Sequence, residues 1–229
     1  MKLPINHRLL ACCRYVHPGD RVADVGCDHG YLGIHLLREG IASSIIASDL
    51  REGPLQSAVV NAAKYGLSDR MSFYLSDGVR NVPRDFDTLV CAGMGAETMI
   101  SILEAAPWLR NPRYRMILQC QTKTHLLRSY LSDTGWEIRQ ESVQRDGKFL
   151  YTVMEILWNP DAPRLTPGGC YVSPAMVSVE SGDVRDHIRW IYKELHKLVT
   201  CRGEAATEHM RQALSELESG LPFLKEDAQ

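Results

Sequence analysis

Residues 21–37 read RVADVGCDHGYLGIHLL, and the reading of this stretch decides the rest of the chain. Its apolar opening, 21–27, has the character of a buried strand. Glycines stand at 26 and 30, and from Tyr31 the apolar residues take helical spacing. A strand that turns through glycines into a helix lets a ligand approach bare backbone, with the free N–H groups of the first helical turn facing it. The middle of this turn is unusual. Asp28 and His29 put a carboxylate and an imidazole where another glycine would be ordinary. A strand–helix joint without any ligand is the competing reading.

Working outward, NHRLLACCRYV predicts a short helix with Asn6 as its N-cap. Downstream, strands are expected at 44–50, 71–77, 88–92 and 115–120. Helices are expected at 31–39, 54–65, 96–106 and 123–133. This alternation predicts a parallel α/β sheet with right-handed crossovers. The pattern then changes. GWEIRQESVQRDGKFLYTVMEILW holds two β-like runs joined by Arg145-Asp146-Gly147-Lys148, and Asp-Gly between such runs predicts a hairpin. A parallel nucleotide-binding sheet finished by an antiparallel hairpin is the sheet of Rossmann-type methyltransferases that use S-adenosylmethionine.

The segment 159–174, NPDAPRLTPGGCYVSP, is rich in Pro and Gly and reads as a connector. Beyond it, Ile188, Ile191, Leu195 and Leu198 recur at steps of three and four. So do Ala206, Met210, Ala213 and Leu217, with Gly203 between the sets. Two helices folding back as an antiparallel coiled-coil hairpin explain this spacing. The expected division is a cofactor-binding methyltransferase domain over 1–160, then a connector and α-helical coiled-coil domain over 161–229.

The 229 residues are 45% hydrophobic, enough for one sizeable core. A net charge of -2 carries no global signal for nucleic acid, so such binding would need a local basic patch. The seven cysteines, Cys12, Cys13, Cys27, Cys91, Cys120, Cys170 and Cys201, are odd in number and form no CxxC pair. With no apolar N-terminal signal region and no run long enough to span a bilayer, we expect a reduced, cytoplasmic protein. Its thiols would act as small apolar side chains, with no metal and no membrane partner.

Acids support a ligand at the glycine-rich turn. Asp24 lies in the turn's own strand. Asp49 ends the second strand, about 20 residues past the turn, where an acid receives ribose hydroxyls. Asp77 ends the third strand in LSDGV, where an acid often meets the adenine amine in methyltransferases. Carboxyl ends of successive strands face one crevice. A neutral-to-cationic ligand such as S-adenosylmethionine tolerates this acidity better than a pyrophosphate beside Asp28. The expected cofactor-binding residues are Asp24, Gly26, Cys27, His29, Gly30, Asp49, Asp77, Gly78, Gly93 and Met94. The fourth strand ends LVCAGMGAETMISIL, with Ala92-Gly93-Met94-Gly95 in place of the Asp/Asn-Pro-Pro-aromatic run of exocyclic-amine methyltransferases. Neither Cys91 nor Cys120 follows a proline, as the nucleophile of cytosine-C5 enzymes often does.

The segments ADVGCDHGYL, EGPLQSA, SDGV, AGMGAETMISIL, MILQ and RDGKFLY occur in an order that resembles the bacterial tRNA (adenine-22-N1)-methyltransferase family over nearly the whole chain. The resemblance implies a Rossmann methyltransferase domain followed by a helical coiled-coil domain. It also implies S-adenosylmethionine as cofactor, the D-arm region of tRNA as substrate, and an essential Asp at the position of Asp28. Three positions depart from the family's usual pattern: Gly33 stands for proline, Ala96 for glycine, and Gln119-Cys120-Gln121 for Gln-Pro-Asn.

On this reading adenine N1 attacks with its own lone pair, and catalysis is largely positioning. Asp28 would accept a hydrogen bond from the adjacent exocyclic amine and favour the cationic product, while His29 shapes the loop. RNA contacts are expected from Arg8 and Arg14 on the first helix, from Lys123 and Arg128 after the fifth strand, and from Arg185, Arg189, Lys193 and Lys197, which recur every fourth residue. The target base would be flipped out. A monomer is expected, with a homodimer through the helices as the alternative. Two other readings stay open: a methyltransferase of another RNA site or a small molecule, and an inactive S-adenosylmethionine-binding module that presents its hairpin to RNA or protein.

Overall fold

Period-two burial along the central strands builds the sheet. In β1 (Arg21–Val25), β4 (Thr88–Met94) and β5 (Arg115–Cys120), side chains alternate between two apolar cores. Val22, Val90 and Ile117 enter one core, and Ala23, Leu89 and Met116 the other. Strands covered on both faces read as continuous apolar runs. The computed structural model describes residues 3–226.

With β2 (Ser44–Asp49), β3 (Met71–Leu75), β6 (Trp136–Asp146) and β7 (Phe149–Trp158), the strands form one sheet in the order β3-β2-β1-β4-β5-β7-β6. The first five are parallel, and β7 runs antiparallel between β5 and β6. One face carries α1 (His7–Cys13), α2 (Tyr31–Arg38) and α3 (Glu52–Lys64); the other carries α4 (Ala96–Glu104) and α5 (Thr124–Asp133). Asn6 caps α1, its side chain accepting from the Leu9 N–H at 2.9 Å. The chain leaves β1 in one direction for β2 and β3, and returns to its other side for β4. Open α/β sheets bind ligands outside the strand ends at such a reversal.

Two expectations need correction. The hairpin turn is Gly147-Lys148, since Asp146 already pairs with Phe149. Gly147 at φ +60° occupies the first loop position, where only glycine sits without strain. The segment 159–174 is also more than a connector. It contains α6 (Pro167–Tyr171) and leads into α7 (Pro174–Val177), capped by the Thr166 and Ser173 side chains. The glycines that suggested a loop permit close packing instead: a Cβ on Gly168 would lie 2.9 Å from that of Glu216.

Glu216 belongs to α9 (Glu208–Gly220), which folds against α8 (Gly182–Arg202); α10 (Phe223–Glu226) follows. Their shared core holds Ile188, Ile191 and Leu195 with Ala213 and Leu217, and Tyr192 Oη donates to Glu218 at 3.0 Å. Leu198 departs from the expected seam and is 42% exposed. The same core takes in Val172 and Met176, with Val143 of β6 packed against it. Arg145 of β6 reaches Asp183 and Asp186 of α8, each at 2.8 Å. The helical hairpin is therefore seated on the sheet's antiparallel end.

Arg128 is the third correction. It is 1% exposed, and its charge is matched inside the protein rather than offered to RNA at the surface. Its guanidinium binds Glu141 at 2.7 Å and donates to the carbonyls of Cys170 at 3.1 Å and Tyr171 at 2.8 Å. Ser173 Oγ donates to the same carboxylate. A buried guanidinium persists only when its donors are matched in this way.

Candidate cofactor and acceptor site

A cavity of about 750 Å³ opens at the carboxyl ends of β1, β2 and β4. It gathers Asp24, Gly26, Cys27, Asp28, His29, Asp49, Asp77, Gly78, Gly93 and Met94, together with Arg8. Gly30 is the one expected cofactor residue outside its lining. At φ +71° it starts α2, with its absent Cβ 3.0 Å from that of Ala58, so its glycine serves helix packing.

The turn is held from below. The N–H groups of Gly26 and Cys27 donate to the Ser48 carbonyl at 2.8 and 2.9 Å. Asp49 accepts from the N–H groups of Asp28 at 3.2 Å and Arg51 at 2.9 Å, so β2 fixes the loop that leaves β1. Asp28 has left-handed backbone, φ +50°, a region that Asp tolerates better than bulkier residues. This conformation leaves its side chain 63% exposed at the cavity, with His29 Nε2 3.7 Å away. The Asn61 amide donates to the His29 carbonyl at 3.0 Å.

Asp24 lies deep in the cavity wall. Burial, reinforced by the Asp49 charge, pushes its carboxyl up to about 7, while the Gly33 N–H pulls the other way. A proline at position 33 would lack that donor. Asp24 Oδ2 has no hydrogen-bond partner among the described residues. An orphaned buried carboxylate oxygen beside a cavity suits a cationic or N–H-bearing ligand.

The opposite wall comes from a bulge. The register of β4 against β5 shifts between Ala92 and Met94, leaving Gly93 as the extra residue at φ +83°. Its N–H donates to Gln119 Oε1 at 3.0 Å, and Arg8 Nη1 donates to the same oxygen at 2.6 Å. Gln119 is fully buried. It ties α1, β4 and β5 together, a role that was not foreseen; the polar end of the apolar MILQ run was the signal. Arg8, expected on RNA, is half-buried in the cleft wall.

A family model described as "Methyltransferase domain" matches residues 5–154. The chain belongs to this methyltransferase family. It is 27% identical to the tRNA (adenine(22)-N(1))-methyltransferase of Bacillus subtilis over 237 aligned positions, covering 98% of this chain and 97% of that protein. The crystal structure of the B. subtilis M1A22 tRNA methyltransferase TrmK matches with a TM-score of 0.80 and 26% identity, over 98% of this chain and 99% of that one. The Streptococcus pneumoniae protein Sp1610 in complex with S-adenosyl-L-methionine matches with a TM-score of 0.79 and 27% identity, over 97% and 98%.

Cys27 is a thiol in this methyltransferase's cleft. Burial pushes Cys91 up to about 12 and raises Cys27 and Cys120, so the nucleophilic thiolate is disfavoured at all three. Asp77 is held 3.1 Å from Arg80. The expected RNA residues are dispersed. Arg14, Arg185, Lys193 and Lys197 are exposed. Arg189 is half-buried, 3.8 Å from Asp186 and stacked over Phe223. Lys123 lies 2.6 Å from Glu97 on the cavity's edge. Among the described residues no helix is long and apolar enough to cross a membrane.

Proposed function

We propose that this methyltransferase moves the methyl group of S-adenosyl-L-methionine to N1 of adenine 22 in tRNA. The observation that carries the reading is one cavity with an unpartnered buried Asp24 oxygen in its wall and the exposed Asp28 carboxylate at its edge. The end-to-end likeness to the B. subtilis enzyme supports the substrate.

Residues of this chain divide the work. The orphaned oxygen of Asp24 suits the donor's ammonium group, Asp49 its ribose hydroxyls and Asp77 its adenine amine. Gly26, Gly78 and Gly93 line the cavity with left-handed backbone, with Cys27, His29 and Met94 around them. When bound, the cofactor supplies a methyl group on a positively charged sulfur. Adenine N1 would form the new N–C bond with its own lone pair as the S–C bond broke, the positive charge passing to the base. Asp28 accepts from the exocyclic amine, holding N1 in line and favouring that charge.

The acceptor reaches the site as a flipped base. Arg14, Arg185, Lys193 and Lys197 offer exposed cations for the tRNA backbone, with residues 161–229 acting as the RNA-holding unit beside the catalytic 1–160. A monomer is the state we propose, with a homodimer through the helices as the alternative. A tRNA substrate makes the cytoplasm the compartment.

Incubation with bulk tRNA and isotope-labelled cofactor, followed by nucleoside mass spectrometry, tests the reading. Labelled 1-methyladenosine is the expected product. A different methylated nucleoside overturns the acceptor assignment. Cofactor uptake by calorimetry without any transfer overturns the enzymatic one.

A further inference from the structure

A second cavity, about 610 Å³, lies beside the first at the same end of the sheet. The two share a wall. The turn after β5 lines the second cavity, while the Gln121 N–H donates to the Met94 carbonyl at 2.9 Å and the Ala96 N–H to the Thr122 carbonyl at 3.2 Å. Met94 lines the first cavity. The ion pair of Lys123 with Glu97 joins the two rims, since Lys123 lines the second and Glu97 the first.

Four rings stand in its walls. His125 and Tyr171 stack with centroids 4.8 Å apart and planes 3° off parallel. His187 stacks under Trp190 at 5.7 Å and 18°. Trp190 nevertheless remains 58% exposed beside this stack, at the cavity lining. Burial lowers the basicity of both histidines, His187 to about 4, and the stacks are neutral aromatic surfaces at pH 7. Arg202 puts an exposed cation at the lining, with Glu194 as an acceptor and the Lys123–Glu97 pair at the rim. The Arg128 charge in this wall is already matched by Glu141.

An exposed indole, room for a nucleotide and a basic side chain at the rim together match an unstacked nucleobase with its phosphate. Exposed Lys193 and Lys197 extend the same positive chemistry along α8. We propose that this second cavity seats an unpaired base of the RNA strand flanking the target adenine, stacked on Trp190. The proposal rests on the tRNA reading above and adds a subsite to it. Seating a neighbour here would hold the strand open while the target base occupies the first cavity.

Binding of fluorescently labelled tRNA transcript, measured with S-adenosylhomocysteine present, tests the subsite without requiring turnover. Trp190→Ala should raise the tRNA Kd about tenfold, the scale of one base–aromatic stack. Trp190→Phe should recover most of the loss, and S-adenosylhomocysteine affinity should stay unchanged in both. Leu198→Glu, at an exposed lining position, should weaken tRNA binding similarly by adding negative charge. Unchanged tRNA affinity in a folded Trp190→Ala protein overturns the subsite and leaves the cavity to a protein or small-molecule occupant. If wild-type protein makes 1-methyladenosine yet Trp190→Ala binds tRNA normally, only the subsite falls. If it makes none but binds tRNA in a Trp190-dependent way, the methylation reading falls and the subsite stands.

Discussion

Gly26 of the first loop lies directly against Met94 of the fourth strand: a Cβ on Gly26 would stand 2.3 Å from Met94 Cε. Two motifs 68 positions apart thus meet in one wall of the cavity. Gly26→Ala should fail chiefly on its φ of +74°, since Met94 Cε, the end of a flexible side chain, can move aside. The left-handed strain alone costs about 1–3 kcal/mol. Cofactor affinity by calorimetry should fall sharply. Met94→Ala in the same chain should restore only part of it, because the backbone strain remains. Full restoration would show that the clash alone matters.

Asp28→Ala should lose turnover while cofactor affinity is largely kept. A preorganised electrostatic interaction of this type is worth about 10²–10³ in kcat. Asp28→Asn should fall between the two, retaining an acceptor oxygen without the charge. Parallel loss of kcat and cofactor affinity would make Asp28 a cofactor ligand.

Asp24 sets a pH dependence. Its folded pKa, raised to about 7, lies above the ordinary carboxylate value. The folded state therefore holds an extra proton between roughly pH 4 and 7, and the ligand-free protein loses stability from this group as pH rises through that window. Cofactor binding has the opposite sign, because a cationic ligand prefers the ionised carboxylate. Cofactor affinity should weaken as pH falls below 7, and Asp24→Asn should flatten that slope. A flat wild-type profile from pH 6 to 8.5 would contradict the assignment.

Arg128→Ala should act on stability. Removing one partner of a buried ion pair leaves the other charge unmatched and costs about 3–5 kcal/mol. Urea denaturation should show this loss, and Arg128→Met with Glu141→Leu should show much less. A folded Arg128→Ala protein of unchanged stability, defective only in tRNA binding, would return Arg128 to the RNA path.

Lys193→Ala with Lys197→Ala should weaken tRNA binding without altering cofactor affinity. The slope of log affinity against log salt should flatten by about one for each phosphate that is no longer neutralised. An unchanged slope would remove α8 from the RNA path.

Local chemistry made much of the molecule legible from its sequence alone. Period-two and helical spacing place the strands and helices, Asn6 marks its own cap, and Gly26 and the acids at the strand ends mark one crevice. These signals are carried by neighbours in the chain, where geometry follows from a few dihedral angles. What the tertiary structure alone decided involves partners brought together across the sheet. Arg128 looked like a surface cation until Glu141, the Cys170 carbonyl and Ser173 closed around it. Gln119 took its role from Arg8, 111 positions away, and Gly168 from the approach of Glu216. Spacing along the chain encodes which face a residue occupies; the charge, hydrogen bond or ring that meets it there comes from elements whose separation in sequence carries no periodic signal.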